Sequence, residues 1–167
     1  DGAGDPFTIG DTYAKGGAGI SSSITGSAVT RGGGGGGSYE KADSAGNTAC
    51  RPQGGDGGGG AGCTTNNLNH SSPGTANTGG GGGAGQSTSV TAKAGGSGIV
   101  ILRYKVSSST NAYYDTTNKR YTGVMEAQGG VKTTVGDYTV HSFLCSGSLE
   151  VGVAGNVDYL VVAGGGG

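Results

Sequence analysis

The sequence predicts a mainly β fold with little or no α-helix: an antiparallel β-sandwich or barrel-like module with an attached glycine-rich, polyglycine-II-like bundle. Two observations predict it. First, 42 of the 167 residues are glycine, and many stand in the unbroken runs 32–37, 57–60, 79–83 and 164–167. Glycine loses the most backbone entropy on folding and buries no side chain. Such a chain is either disordered or held in an order that does not depend on ordinary core packing. Second, the large hydrophobes gather in 99–106 and 124–162, in short apolar or alternating runs without helical periodicity. The predicted organisation is a glycine-rich rod and loop region over 1–98, β-strands over 99–163, and the start of a further glycine run at 164–167.

Residues 1–18 read as loop, with Pro6 and scattered Asp and Gly. The stretch 19–31, GISSSITGSAVTR, is rich in small and β-branched residues around Thr25-Gly26 and predicts a short hairpin. From 32 to 98, glycine runs alternate with polar excursions at 38–53, 63–78 and 86–94 that carry turn residues at their ends. Glycine adopts the left-handed threefold polyproline-II-like helix, which rises about 3.1 Å per residue and has no internal hydrogen bonds. Its N–H and C=O groups point outward, so neighbouring rods bond to one another and buried backbone finds partners without helix or sheet. A flexible linker is the alternative. Cysteines, turn signals and a β-branched hairpin interleaved with the glycine favour an ordered bundle.

The β part begins with 98–106, GIVILRYKV, nearly continuous in apolar residues and so predicted as a strand buried on both faces. Residues 107–118 are polar and turn-like. A strand is expected over 120–127, a turn at 128–130, and another strand over 131–135. The segment 137–145, DYTVHSFLC, alternates: Tyr138, Val140, Ser142 and Leu144 on one face, Thr139, His141, Phe143 and Cys145 on the other. Short and long strands follow at 149–153 and 156–163.

The balance of charge excludes several function classes. Net charge is −1 and charged residues are 13%, so there is no basic stripe for nucleic acid. No apolar window reaches the roughly 18 residues of a membrane span. The glycine runs lack a Walker lysine and a strand–GxGxxG–helix setting, so no nucleotide cofactor is expected. No Ser/His/Asp constellation or CxxC pair stands out, and no enzyme activity, cofactor or metal is expected. Asp1, Asp5 and Asp11 fit neither the EF-hand nor the calcium-binding nonapeptide repeat. His141 reads as a satisfied β-face residue and Asp158 as an edge guard. Cys50 and Cys63 flank a glycine-rich loop, where a disulfide would stabilise by roughly 3 kcal/mol; two free thiols are the alternative. Cys145, at an apolar-facing position, is expected to be buried and free.

Five segments together carry a resemblance: YTVHSF at 138–143, VDYLVVAGGGG at 157–167, SSITGSAVT before the first glycine run, ANTGGGGGAG at 76–85, and GGSGIVILRY at 95–104. As a set they resemble a glycine-rich β module that recurs in bacteriophage tail-fibre and adhesin proteins and in large bacterial extracellular surface proteins. In that family a module runs from YTVHxF to GGSGIVIIRY. Here the order is rotated, so the module boundary is expected to fall inside the chain. The resemblance implies a structural or receptor-binding role outside the cell, at a cell surface or on a virion, and transfers no catalytic residue. The expected function is a repeat of a fibre, assembled from copies of itself by tandem linkage or strand exchange. The candidate exchange segments are Ile99, Val100, Ile101 and Leu102 with Tyr159, Leu160, Val161 and Val162. The alternative is an adhesin contacting glycan or protein through polar loops, with Tyr39, Asn66, Asn67, His70, Tyr113 and Tyr114 as recognition candidates; these residues equally suit caps on the rods.

Overall fold

The structure is a computed structural model that describes residues 14–38, 52–63, 71–86, 91–106, 113–117, 120–122 and 125–167. Among the described residues there are strands and no helix. They divide into two compact units that interleave along the chain. One comprises 14–22, 29–98 and 162–167; the other comprises 23–28 and 99–161.

The first unit is a bundle of glycine-rich rods tied together through the main chain. It starts from a hairpin, β1 (Ile20–Ser22) with β2 (Val29–Arg31), in which Ile20 faces Arg31. The register set there runs on beyond the strands, because Gly34 N–H bonds the Gly17 carbonyl and Gly37 N–H the Ala14 carbonyl, both at 2.8 Å. Segments 32–37, 57–63 and 79–84 run parallel. Gly33 and Gly36 donate to Gly57 and Gly60, Gly60 and Cys63 to Gly81 and Ala84, and Gly81 and Ala84 to Gly33 and Gly36. Each of these bonds recurs after three residues, the repeat of a threefold helix. Burial keeps the same step at Gly33 and Gly36 and at Gly80 and Gly83.

Antiparallel segments lie between the parallel ones. Gly59 and Gly62 donate to Gly55 and Pro52, Ser72 and Thr75 to Ala61 and Gly58, and Lys93 and Gly96 to Gly83 and Gly80. The excursions read from the sequence as polar interruptions therefore supply rods of their own at 71–75 and 92–98. Thr75, Lys93 and Ala94 stay exposed, so their side chains do not hinder the packing. The last segment, 163–167, joins through Gly82 N–H to Gly166 and Gly165 N–H to Gly96. The close approach explains the composition. A β-carbon on Gly35 would overlap the Gly82 carbonyl, and one on Gly83 the Ala61 carbonyl.

The second unit holds a four-stranded sheet in the order β10 (Asp158–Val162), β3 (Ile99–Lys105), β8 (Tyr138–Phe143), β7 (Val131–Val135). The apolar run at β3 makes it an interior strand, with Leu102 facing His141 and Tyr104 facing Thr139. Strands β7 and β8 form a hairpin whose two-residue loop is Gly136-Asp137, since Val135 faces Tyr138. Gly136 has φ of 55°, which suits glycine in the first central place of a type II′ turn. Two small antiparallel pairs complete the unit: β4 (Tyr113–Asp115) with β5 (Arg120–Thr122), and β6 (Glu126–Gln128) with β9 (Glu150–Val153). The core is Ile99, Ile101 and Tyr104 from β3, Val140 from β8, Ala127 from β6 and Ile24 from the loop between β1 and β2.

Three sequence expectations change. The single strand expected over 120–127 is two strands, β5 and β6, with different partners. Alternation does not decide burial on β8, because Thr139, Val140 and His141 are all buried in succession. Neighbouring residues face opposite sides of a sheet, so the middle of β8 is covered on both. Cys145 is exposed rather than buried, because β8 ends at Phe143 and the alternation stops with it.

Candidate assembly site

The sequence candidates for strand exchange fall on adjacent strands of one sheet, and the sheet treats them differently. On β3, Ile99 and Ile101 are buried and the strand has a neighbour on each side, β10 and β8. Releasing it would open the core. β10 is an outer strand, and Tyr159 and Val161 are 73% and 62% exposed. These two residues share a face by the alternation of the strand, with Leu160 and Val162 half-buried on the other. The opposite outer strand, β7, is exposed from Val131 to Thr134. An outer strand carries a row of backbone donors and acceptors open to another chain.

Arg103 holds β10 to β3. Its Nε and Nη2 both donate to Asp158 Oδ2, at 3.1 and 2.7 Å. Its Nη1 reaches the Ser23 carbonyl at 3.4 Å, and the guanidinium lies 4.7 Å from the Tyr138 ring centroid. Asp158, read from the sequence as an edge guard, is an ion-pair partner as well. An arginine inside one apolar strand, which ends on Lys105, and a lone aspartate opening the other were the signal for this pairing.

A second network closes the core, and sequence reasoning found only one of its members. His141 is fully buried, with Nδ1 2.6 Å from the Gly129 carbonyl and Nε2 3.3 Å from the Tyr104 hydroxyl. A carbonyl only accepts, so Nδ1 carries the proton and Nε2 accepts from Tyr104. The Tyr104 oxygen accepts in turn from Ala127 N–H at 3.2 Å. The rings stack at 5.6 Å. Both imidazole nitrogens are therefore occupied in joining β3, β6 and β8. Among the described residues no three His, Cys, Asp or Glu side chains gather as a metal site would require.

The remaining candidates divide by position. Tyr113 and Tyr114 lie on β4, opposite Thr122 and Tyr121 of β5. Cys63 is a buried free thiol at the end of a rod. Its expected partner Cys50, and Tyr39, Asn66, Asn67 and His70, lie outside the described residues.

Residues 1–105 match the family described as a glycine-rich domain. No curated protein and no solved structure matches the chain.

Proposed function

The chain belongs to the glycine-rich domain family, and from that premise we propose that it is a structural repeat of an extracellular or virion fibre, assembled from copies of itself. One observation carries the reading. Both outer strands of the same four-stranded sheet, β10 and β7, lack an outer neighbour among the described residues. One of them presents Tyr159 and Val161 to solvent. Strand addition at such an edge supplies a ladder of main-chain bonds and covers apolar side chains. A contact between two different edges repeats without closing and gives an open filament.

The rod bundle supports the same role. Its cohesion comes from main-chain hydrogen bonds between many short segments, which suits a stiff structural module. In this reading the exchanging element is β10, which can be peeled away at the loss of the Arg103–Asp158 pair, while β3 stays in the core. The test is light scattering over a concentration series followed by electron microscopy of the purified chain. Mass that rises with concentration and resolves into filaments is the expected result; a monodisperse monomer at high concentration would refute the proposal.

A further inference from the structure

In the glycine unit, segment 79–84 is a hub. The carbonyls of a threefold rod point in three directions in rotation. Those of Gly80 and Gly83 accept from Gly96 and Lys93, and those of Gly81 and Ala84 from Gly60 and Cys63. The third set, Gly79 and Gly82, has no main-chain hydrogen-bond partner among the described residues. Around the hub lie 32–37, 57–63, 71–75, 92–98 and 163–167, each bonded to it. Each is also bonded to the next, through Gly36 to Gly60, Thr75 to Gly58, Gly74 to Ala94, and Gly165 to Gly96. No bond closes the ring between 163–167 and 32–37 among the described residues.

Rods packed side by side surround each member with six neighbours, and here the sixth place is a groove. It measures about 490 Å³ and is lined by 32–37, by residues of the hub and by 165–167. Its wall is main chain whose hydrogen-bonding capacity is partly unmet among the described residues. The Gly79 and Gly82 carbonyls form the floor. In 32–37 the N–H groups of Gly33 and Gly36 point to 57–63, those of Gly34 and Gly37 to 14–19, and that of Gly32 to Thr78, leaving Gly35 N–H unbonded among the described residues and open to the groove. On the other wall, Gly165 N–H is bonded to Gly96 and Gly166 N–H, one step round the rod, is unbonded among the described residues.

We infer that this groove binds one more glycine rod, and that its occupant is segment 163–167 of a second copy of the chain. The wall selects the class of ligand. Two acceptors three residues apart, about 9.3 Å along a threefold rod, need donors at the same spacing, and the Gly35 and Gly166 N–H groups need carbonyls. A side chain on the occupant would hold it away from both. Among the described residues 163–167 makes main-chain bonds only to the hub and to 92–98, and its Gly164, Gly166 and Gly167 are exposed. The groove adjoins that very segment. Two copies related by a two-fold axis between them can each place 163–167 in the other's groove, which continues one rod lattice across the contact. The choice of a second copy rests on the fibre reading; the selectivity of the groove for bare main chain does not.

Two variants and one peptide test this. Nothing lies within 4 Å of a β-carbon built on Gly166, so Gly166→Leu leaves the single chain intact, checked by an unchanged melting temperature. Sedimentation velocity of that variant should show the native chain's self-association weakened at least tenfold, with Gly164→Leu behaving alike. Acetyl-hexaglycine amide, added to Gly166→Ala, should slow amide exchange at Gly35 at least threefold, and acetyl-hexaserine amide should not. Peptide binding by a chain that never self-associates overturns the second copy as occupant. Undiminished association in Gly166→Leu with free exchange at Gly35 overturns the groove and leaves the fibre reading standing.

Discussion

Replacing Gly83 by alanine separates a packed rod from a flexible tether by the size of one free energy. At an ordered position with room for a β-carbon the change restricts the unfolded chain and stabilises by about 0.4–1 kcal/mol, and in a flexible tether it is close to neutral. In the structure Gly83 is buried, and a β-carbon there would overlap the Ala61 carbonyl and sit 3.0 Å from the Gly62 nitrogen. Those atoms are backbone, so the rods must part. Parting removes the bonds from Gly83 N–H to Ser72, from Lys93 N–H to Gly83, and from Cys63 N–H to Ala84, at 2.9, 3.0 and 3.2 Å. Three bonds at about 1 kcal/mol each give about 3 kcal/mol, and more where the parted groups stay buried without partners. Set against the entropic gain, the net loss is about 2–3 kcal/mol, a fall in melting temperature of about 5–10 °C. Thermal unfolding followed by circular dichroism measures it. Gly166→Ala is the internal control, because its β-carbon meets open space, and it should be neutral or slightly stabilising. Equal, small effects at the two sites would refute the reasoning.

Three further expectations concern the sheet unit and the cysteines. Tyr104→Phe leaves Ala127 N–H and His141 Nε2 without the hydroxyl that serves both; unfolding in urea should show a loss of about 1–3 kcal/mol, with faster amide exchange at Ala127. Asp158→Asn weakens a pair whose side chains are 26% and 60% exposed, so its cost should stay below about 1 kcal/mol and vanish in high salt. A thiol reagent followed by peptide mass mapping should label Cys145 in the folded chain and Cys63 only after denaturation, given that one is exposed and the other buried.

Much of this fold was legible in the chain. The apolar run at 99–105 became β3, and its Ile99, Ile101 and Tyr104 lie in the core. The glycine runs became parallel rods because nothing bulkier fits between their carbonyls. The return rods were hidden, since 71–75 and 92–98 carry Ser, Pro, Thr, Lys and Ala that read as loop. Such residues are tolerated wherever the threefold repeat turns them outward, and only the pairing of segments reveals which positions those are. The buried contacts of His141 were equally hidden. Its partner Tyr104 stands 37 residues away and Gly129 is 12 away, and local alternation carries no information about either. The groove was beyond sequence reasoning altogether, because it is a property of how rods tile around 79–84.

The rod unit removes amide from water far more than hydrocarbon, and this sets its response to temperature. Uncovering apolar surface raises the heat capacity on unfolding, at about 0.45 cal/mol/K per Å², whereas uncovering polar surface lowers it by about 0.26. In a bundle of bare main chain the two contributions largely cancel. Its stability should therefore follow a nearly straight line, falling steadily on heating and still rising on cooling, where the curve of a hydrocarbon core of equal size would bend over and weaken at both ends.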